Sequence, residues 1–143
     1  MIVLDTNVVS ELMRDEPDPR VEQWVAAQLV EELWMSAMTL LEIERGLLRC
    51  FPGKAQEKLR QRFVNIVDKT LPGQIVPLGA HEATHVAGLL DSQARRGRPV
   101  TLADAIIAGS AIAHNALVAT RDAAVLEALG NAAVNPWART PGN

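Results

Sequence analysis

The sequence predicts an α/β fold in which helices cover a central parallel sheet. Short apolar runs alternate along the chain with longer segments of helical periodicity, and this alternation is typical of a parallel sheet. The chain has 143 residues, of which 48% are hydrophobic, and a chain of that size can bury one substantial core. We therefore expect a single domain over residues 1–143.

Five short apolar runs are the predicted strands. They are Ile2 to Leu4, Leu33 to Met35, Ile75 to Val76, Leu117 to Ala119, and Ala132 to Val134. Because helical segments separate them, we expect these strands to pair in parallel.

The segments between the strands carry apolar residues at helical spacing. Turn-forming residues such as Pro52-Gly53 mark where a helix cannot continue. The predicted helices run from Arg20 to Val30, through Leu40, Ile43, Leu47 and Leu48, after Pro52-Gly53 to Lys69, from about His81 to Arg96, and from Ala103 to about His114.

Composition and charge restrict the classes of protein that this chain can represent. A net charge of -3 argues against nucleic-acid binding through bulk positive charge. The single cysteine, Cys50, cannot form an internal disulfide, which fits a reducing cytoplasm. The longest uncharged stretch, 105–120, has 16 residues, fewer than the roughly 20 apolar residues of a membrane span. We expect a cytoplasmic protein that has no leader peptide and does not enter the membrane.

Four acidic residues occupy positions from which a parallel sheet can bring them together. Asp5 and Asp122 follow predicted strands, and Glu42 and Asp104 lie near the start of predicted helices. Strand carboxyl ends and the loops that follow them share one edge of such a sheet. Clustered carboxylates repel one another unless a cation neutralises them, and Mg²⁺ or Mn²⁺ suits hard oxygen ligands.

Each acid also has a purely structural interpretation. Thr39-x-x-Glu42 and Thr101-x-x-Asp104 resemble capping boxes, in which the acid bonds back to the start of its helix. Asp5 fits an Asx-type turn, and Asp122 fits the N-cap of a helix that holds Val125, Leu126 and Leu129. The residues by themselves leave both interpretations open.

Other polar residues give weaker signals. His81 and His85 stand at i, i+4, which allows a zinc site, although an exposed helix face is the default interpretation. Arginines and lysines are concentrated in the middle of the chain and in the run Arg95, Arg96, Arg98. Such groups either steer phosphates or form a solvated helix face.

Five segments together resemble the PIN-domain proteins of the VapC/FitB toxin type. They are IVLDTNVVSE at 2–11, LWMS followed by TLLEI within 33–43, GRP followed by LADAIIA within 97–108, LVATRD at 117–122, and NPW at 135–137. The similarity spans nearly the whole chain in register. In relatives an Asp-Phe pair often follows the fourth segment, whereas this chain has Val125 and Leu126 there, so Asp122 is the acid available locally.

The resemblance implies a fold, a metal site and an activity. The fold is an α/β/α sandwich, and Asp5, Glu42, Asp104 and Asp122 are implied to bind Mg²⁺ or Mn²⁺ and to be the catalytic residues. Thr6 or Thr120 would then be a supporting hydroxyl. The implied function is a metal-dependent endoribonuclease that acts as the toxin of a type II toxin-antitoxin system.

The same resemblance implies RNA as substrate, a small antitoxin as partner and a homodimer as the basic unit. Apolar faces that carry Trp24, Leu40 and Leu47 suit an interface and suit a buried core equally well. One rival is a PIN-like adaptor that binds RNA or protein without turnover. A receiver-like regulatory domain is a weaker rival, because the chain has Asn135-Pro136 where a lysine is wanted.

Overall fold

Strand β1 (Ile2–Leu4) lies at the centre of a five-stranded parallel sheet in the order β3-β2-β1-β4-β5. The structure, a computed structural model, describes residues 1–138. The predicted end of the domain at residue 143 lies outside them. The other strands are β2 (Leu33–Ser36), β3 (Ile75–Val76), β4 (Leu117–Ala119) and β5 (Ala133–Val134).

Seven α-helices connect and flank these strands within residues 1–138. They are α1 (Thr6–Leu12), α2 (Pro19–Ala26), α3 (Ala37–Arg49), α4 (Lys54–Lys69), α5 (Ala80–Arg95), α6 (Leu102–Ala113) and α7 (Ala123–Leu129). The predicted α/β class with a parallel sheet is confirmed. Within the described part of the chain, no helix has the length and apolar character that crossing a membrane requires.

Two local predictions on the helices are wrong. The helix expected from Arg20 to Val30 ends at Ala26 and is followed by a 3-10 turn at Val30–Glu32. The side chain of Gln28 donates to the carbonyl oxygen of Trp24 at 2.8 Å, so it occupies an acceptor in the last turn of the helix.

The second error concerns Leu48, which was expected on the buried face of α3 but is 75% exposed. Leu40, Ile43 and Leu47 form the stripe that packs into the core. The next residue after Leu47 is turned about 100° away from that stripe in an α-helix. Trp24 also packs against the core, so the core interpretation of Trp24, Leu40 and Leu47 is the correct one.

The alternation of side chains along the strands separates two apolar cores. In β1, Val3 packs with residues of α5, α6 and α7, whereas Leu4 packs with residues of α1 to α4. Val118 and Ala119 of β4 divide in the same way, because successive side chains of a strand point to opposite faces. The result is a three-layer α/β/α sandwich.

The strand order reverses direction at β1. The chain moves outward from β1 to β2 and β3, then crosses to the other side of β1 to form β4 and β5. β1 therefore pairs with β2 on one side and with β4 on the other. The crevice at the carboxyl ends of the strands at such a switch point is where open α/β sheets bind ligands.

The histidines are used in the contact between α5 and α6. His114 Nε2 lies 2.6 Å from Glu82 Oε1, and this hydrogen bond is the main reason that the pKa of Glu82 is lowered. His81 Nε2 lies 2.9 Å from the carbonyl oxygen of Ala113, and His85 Nδ1 lies 3.0 Å from that of His81. Within residues 1–138, no histidine belongs to a group that could hold a metal ion, which favours a structural role for the pair.

Gly109 allows α5 and α6 to approach closely. A Cβ atom placed on Gly109 would lie 2.7 Å from Cα of Val86, a backbone atom that cannot rotate away. We expect Gly109→Ala to lower the free energy of unfolding by about 1–3 kcal/mol, the usual cost of overpacking. Urea unfolding followed by circular dichroism measures this change.

Gly88 of α5 provides the matched control, since nothing lies within 4 Å of the Cβ that alanine would add there. Gly88→Ala should leave stability unchanged or raise it by up to about 1 kcal/mol, because alanine is the better helix former. Equal effects of the two substitutions would show that the close approach of the helices is not what Gly109 provides.

Candidate active site

A cavity of about 530 Å³ opens at the carboxyl edge of the sheet, beside the switch point. Asp5, Glu42, Asp104 and Asp122 all line it, so the structure brings together the four acids that the sequence singles out. The remaining lining residues are Thr6, Asn7, Ser10, Glu11, Arg14 and Arg121.

Asp5 is held at the junction of β1 and α1. Its backbone N–H donates to the carbonyl oxygen of Ala119 at 2.9 Å, which extends the pairing of β1 with β4 by one residue. Its Oδ1 accepts from the N–H of Thr6 at 2.6 Å and caps α1. Asp5 is 4% exposed, so the carboxylate position is fixed by backbone pairing and a helix cap together.

The hydroxyl of Thr120 connects the ends of β1 and β4. It donates to Asp5 Oδ2 at 2.6 Å. It accepts from Nδ2 of Asn7 at 3.2 Å and from the N–H of Asp122 at 2.9 Å. Because Thr120 is fully buried, these bonds form away from competing water and fix the spacing between Asp5 and the start of the Asp122 loop.

Glu42 lies in the second turn of α3, so the capping interpretation of Thr39-x-x-Glu42 is wrong. Ser36 is the N-cap of this helix and accepts from the N–H of Thr39 at 3.1 Å. The carboxylate of Glu42 instead accepts from the hydroxyl of Thr6 at 2.8 Å. Glu42 is therefore oriented from α1, across the cavity.

The other two acids combine a helix terminus with a place in the cavity. Thr101 caps α6 and its Oγ1 accepts from the N–H of Asp104 at 3.1 Å. Asp122 is the N-cap of α7, and its Oδ1 accepts from the N–H of Val125 at 3.0 Å. The cap interpretation and the cavity interpretation of Asp122 hold at the same time, because only one of its oxygens is used by the cap.

Burial and mutual repulsion raise the pKa of two of the carboxyls. Burial is the largest cause for Asp5, and a hydrogen bond from the Thr120 hydroxyl partly offsets it. The charges of Asp104 and Glu42 raise the pKa of Asp5 further. Burial also raises the pKa of Asp104, and the charge of Asp122 adds to this effect. The cavity therefore favours either protons or a cation.

The donor set fits a hard divalent cation. The cavity lining has carboxylate, hydroxyl and amide oxygens but no histidine or cysteine among the described residues, which is the chemistry that Mg²⁺ and Mn²⁺ prefer. Oδ1 of Asn7, beside Asp5, is buried without a hydrogen-bond partner, and such an atom calls for a water or an ion. Three donors occupy Asp5, and a carboxylate has about four acceptor positions.

The four carboxylates do not converge on a single point in the structure. Within residues 1–138, no three acidic, histidine or cysteine side chains converge closely enough to hold one ion as they lie. Thr6 donates to Glu42 and the α7 cap holds Asp122, so each of these two carboxylates is oriented by its own donor.

Two functional features were missed by the sequence reasoning. Asn7 donates to Asp5 Oδ2 at 3.1 Å as well as to Thr120, and its place directly after Asp5-Thr6 in the turn was the available signal. Arg121 lines the cavity between Thr120 and Asp122. Its contact with Trp137 joins residues from separate segments and left no local signal.

The fold and this cavity define a class of α/β domain with an acidic site at the switch point of the sheet. A family model described as "PIN domain" matches residues 2–130. The chain therefore belongs to the PIN-domain family, as the sequence motifs predicted, and relatives that it matches over nearly their full length include proteins named VapC ribonuclease and Toxin FitB.

Two relatives and one solved structure illustrate the similarity. The chain is 39% identical to VapC ribonuclease Y4jK of Sinorhizobium fredii over 96% of this chain and 98% of that protein. It is 34% identical to Toxin FitB of Neisseria gonorrhoeae over 96% and 99% of the two chains. A structure of FitAB bound to a DNA fragment superposes with a TM-score of 0.88 at 33% identity, covering 98% of both chains.

The raised pKa of Asp104 predicts that its charge destabilises the fold in the absence of a cation. For a group whose pKa is higher in the folded state, the stabilising contribution is fully present at pH values below the unfolded pKa. It is lost as the pH rises through the folded pKa. The ionised carboxyl therefore opposes folding at neutral pH. We expect Asp104→Asn to raise the Tm at pH 7 in EDTA, measured by differential scanning calorimetry.

The gain in Tm from Asp104→Asn should shrink as the pH is lowered, because Asp104 of the wild type then takes up a proton. Asp68 of α4 is exposed, and Asp68→Asn is the control, expected to change stability by no more than about 0.5 kcal/mol. A lower Tm for Asp104→Asn than for the wild type at pH 7 would mean that hydrogen bonding of this carboxylate outweighs its repulsion.

Proposed function

We propose that this chain is a Mg²⁺-dependent endoribonuclease and the toxin of a type II toxin-antitoxin system. The observation that supports it most directly is the single cavity lined by Asp5, Glu42, Asp104 and Asp122. Relatives of nearly the same length are named VapC ribonuclease and Toxin FitB. The substrate would be RNA, and the protein would act in the cytoplasm.

The four acids would have different roles in binding the ion. Asp5 and Asp104 would be the primary ligands for Mg²⁺, with Mn²⁺ as a substitute. Glu42 would be a ligand or would orient water, and Asp122 would bind directly or through water by the oxygen that its cap leaves free. When bound, the ion would supply a nucleophilic water at neutral pH and would neutralise charge on the phosphoryl group.

The neighbouring hydroxyls would keep the ligands in place during the reaction. Thr120 donates to Asp5 and Thr6 donates to Glu42, so both carboxylates are anchored by groups that carry no charge. Hydrogen bonds that orient metal ligands in this way are worth about 10–100-fold in metal affinity or activity. Hydrolysis of the phosphodiester would need no covalent enzyme intermediate, because water would be the attacking group.

Removal of the ion or of a ligand tests the activity. Purified protein should cleave RNA in Mg²⁺ and should stop in EDTA, with activity restored by excess Mg²⁺ or Mn²⁺. Asp5→Asn and Asp104→Asn should each lower the cleavage rate by more than about 100-fold, the upper range for losing a hydrogen bond that only orients a ligand. Gel electrophoresis of a labelled RNA substrate measures the rate.

Asp68→Asn is again the control, because it removes the same charge from an exposed position outside the cavity. Cleavage at the full rate in EDTA, or in both cavity variants, would contradict the metal mechanism. Binding of Mg²⁺ without cleavage of any of several RNA classes would instead favour the adaptor that binds without turnover.

We also propose an antitoxin as protein partner and a homodimer as the basic unit. Solved structures with the same fold are described as a toxin-antitoxin complex and as a member of a family of toxin-antitoxin systems, which supports the first. Exposed apolar side chains on and after α3, Leu41, Leu48 and Phe51, are 54%, 75% and 94% exposed. Apolar groups in such number on one segment support an interface with another chain.

Light scattering after size exclusion tests the homodimer. The isolated chain should have twice the monomer mass of 15.5 kDa. Leu48→Glu should shift it toward the monomer, because the new charge would be buried at the interface. Leu29→Glu, at a side chain 64% exposed on another segment, should leave the mass unchanged. A monomeric wild-type chain would contradict the proposed unit.

A further inference from the structure

Arg121 is a cation at the rim of the acidic cavity. It is exposed and lies between Thr120 and Asp122, at the end of β4. Within residues 1–138 no carboxylate forms a salt bridge with Arg121; instead its Cζ lies 4.7 Å from the ring centroid of Trp137. A neutral aromatic ring, rather than one of the nearby carboxylates, therefore holds this guanidinium.

Trp137 is fixed by the turn that follows β5. Its backbone N–H donates to Oδ1 of Asn135 at 3.0 Å, and the N–H of Ala138 donates to the carbonyl oxygen of Asn135 at 3.0 Å. The indole is half-buried and packs against the apolar core on the Leu4 face of the sheet. The ring is thus a fixed surface on which Arg121 rests.

The strength of this contact suits a group that has to change partners. A cation–π contact at an exposed site is weak. Charge-assisted hydrogen bonds to a phosphate are stronger. Trp137 can therefore position the guanidinium at the rim in the free protein and still release its N–H groups to a phosphate.

A polyanionic substrate needs such a cation at this position. The chain has a net charge of -3, and five acids line the cavity, the four site acids and Glu11, so an approaching phosphate is repelled. Arg14 also lines the cavity, but its Nη1 lies 3.4 Å from Oε2 of the buried Glu11. Among the described residues Arg121 is the lining cation without a salt bridge, and a guanidinium binds phosphate in a bidentate manner.

We propose that Arg121 binds a backbone phosphate of the RNA at the rim of the cavity and that Trp137 is the residue that positions it. This inference rests on the proposed ribonuclease function for the identity of the substrate. Arg121 would offset the repulsion of the acids at one point of the strand, and Trp137 would position the guanidinium at the rim before the RNA arrives.

RNA binding at several KCl concentrations tests the phosphate contact. The probe is a fluorescently labelled, mixed-sequence single-stranded RNA, and every protein carries Asp104→Asn so that the probe stays intact. Adding Arg121→Gln should weaken binding about tenfold, the effect of about 1.4 kcal/mol. It should also reduce the slope of log K against log salt by about 0.7, the value for one lost phosphate contact on a single strand.

Arg49→Gln is the matched control, since Arg49 is an exposed arginine in the last turn of α3 that does not line the cavity. Arg49→Gln should change the slope of log K against log salt little. Arg121→Lys should retain the slope and recover part of the affinity, because lysine keeps the charge but loses the bidentate geometry. An equal slope for Arg121→Gln and Arg49→Gln would overturn the proposal.

A double-mutant cycle separates positioning by Trp137 from general structural support. Trp137→Leu should weaken binding when Arg121 is present and should have no effect in the Arg121→Gln background, because the two residues act as one unit. Trp137→Phe should restore binding in part, since phenylalanine keeps an aromatic face. An equal loss in both backgrounds would show that Trp137 does not act through Arg121.

Cleavage by the protein with Asp104 intact distinguishes this inference from the proposed function. Binding of the probe with the expected slope change but without cleavage would overturn the endoribonuclease and leave the phosphate contact standing. Cleavage with an unchanged KM in Arg121→Gln would overturn the phosphate contact alone. A chain that neither binds nor cleaves the probe would overturn both.

Discussion

The parallel pairing of β1 with β4 is the constraint on which the site depends. It sets Asp5 beside Thr120, two residues that are 115 positions apart in the chain and whose side chains are hydrogen-bonded at 2.6 Å. The remaining acids are placed relative to this pair. Thr6, next to Asp5, orients Glu42, and the hydroxyl of Thr120 accepts from the backbone of Asp122. Asp104, at the N-terminus of α6, is the one acid of the four that is not placed through Asp5 or Thr120.

The fold holds these like charges together by surrounding them with neutral donors. Hydroxyl, amide and backbone N–H groups bond the carboxylate of Asp5, whereas no arginine or lysine within residues 1–138 forms a salt bridge with it. Neutral donors orient a carboxylate without cancelling its charge. The cost appears in the raised pKa of Asp5 and Asp104, and strain of this kind is common at functional sites.

The elements of the fold were accessible from the sequence because each is encoded locally. The run Leu117 to Ala119 is apolar and follows a turn, and it forms β4 as predicted. The order of the strands could not be predicted, since the periodicity of apolar residues does not say which strands are neighbours in the sheet. For Glu42 the local pattern left a cap and a ligand equally open, and the cap is excluded because Ser36, the residue after the predicted strand Leu33 to Met35, is the N-cap of α3. The stacking of Arg121 on Trp137 depends on tertiary packing alone.

The central position of the amino-terminal strand has a consequence for the chain during its synthesis. β1 leaves the ribosome first, yet its partner β4 and the residues Thr120 to Asp122 are made only after most of the chain has been completed. An unfinished chain can form β2 and α3 beside β1, but it has neither the hydroxyl that fixes Asp5 nor the last acid of the cavity. Topology alone therefore keeps every partly translated copy without a complete site.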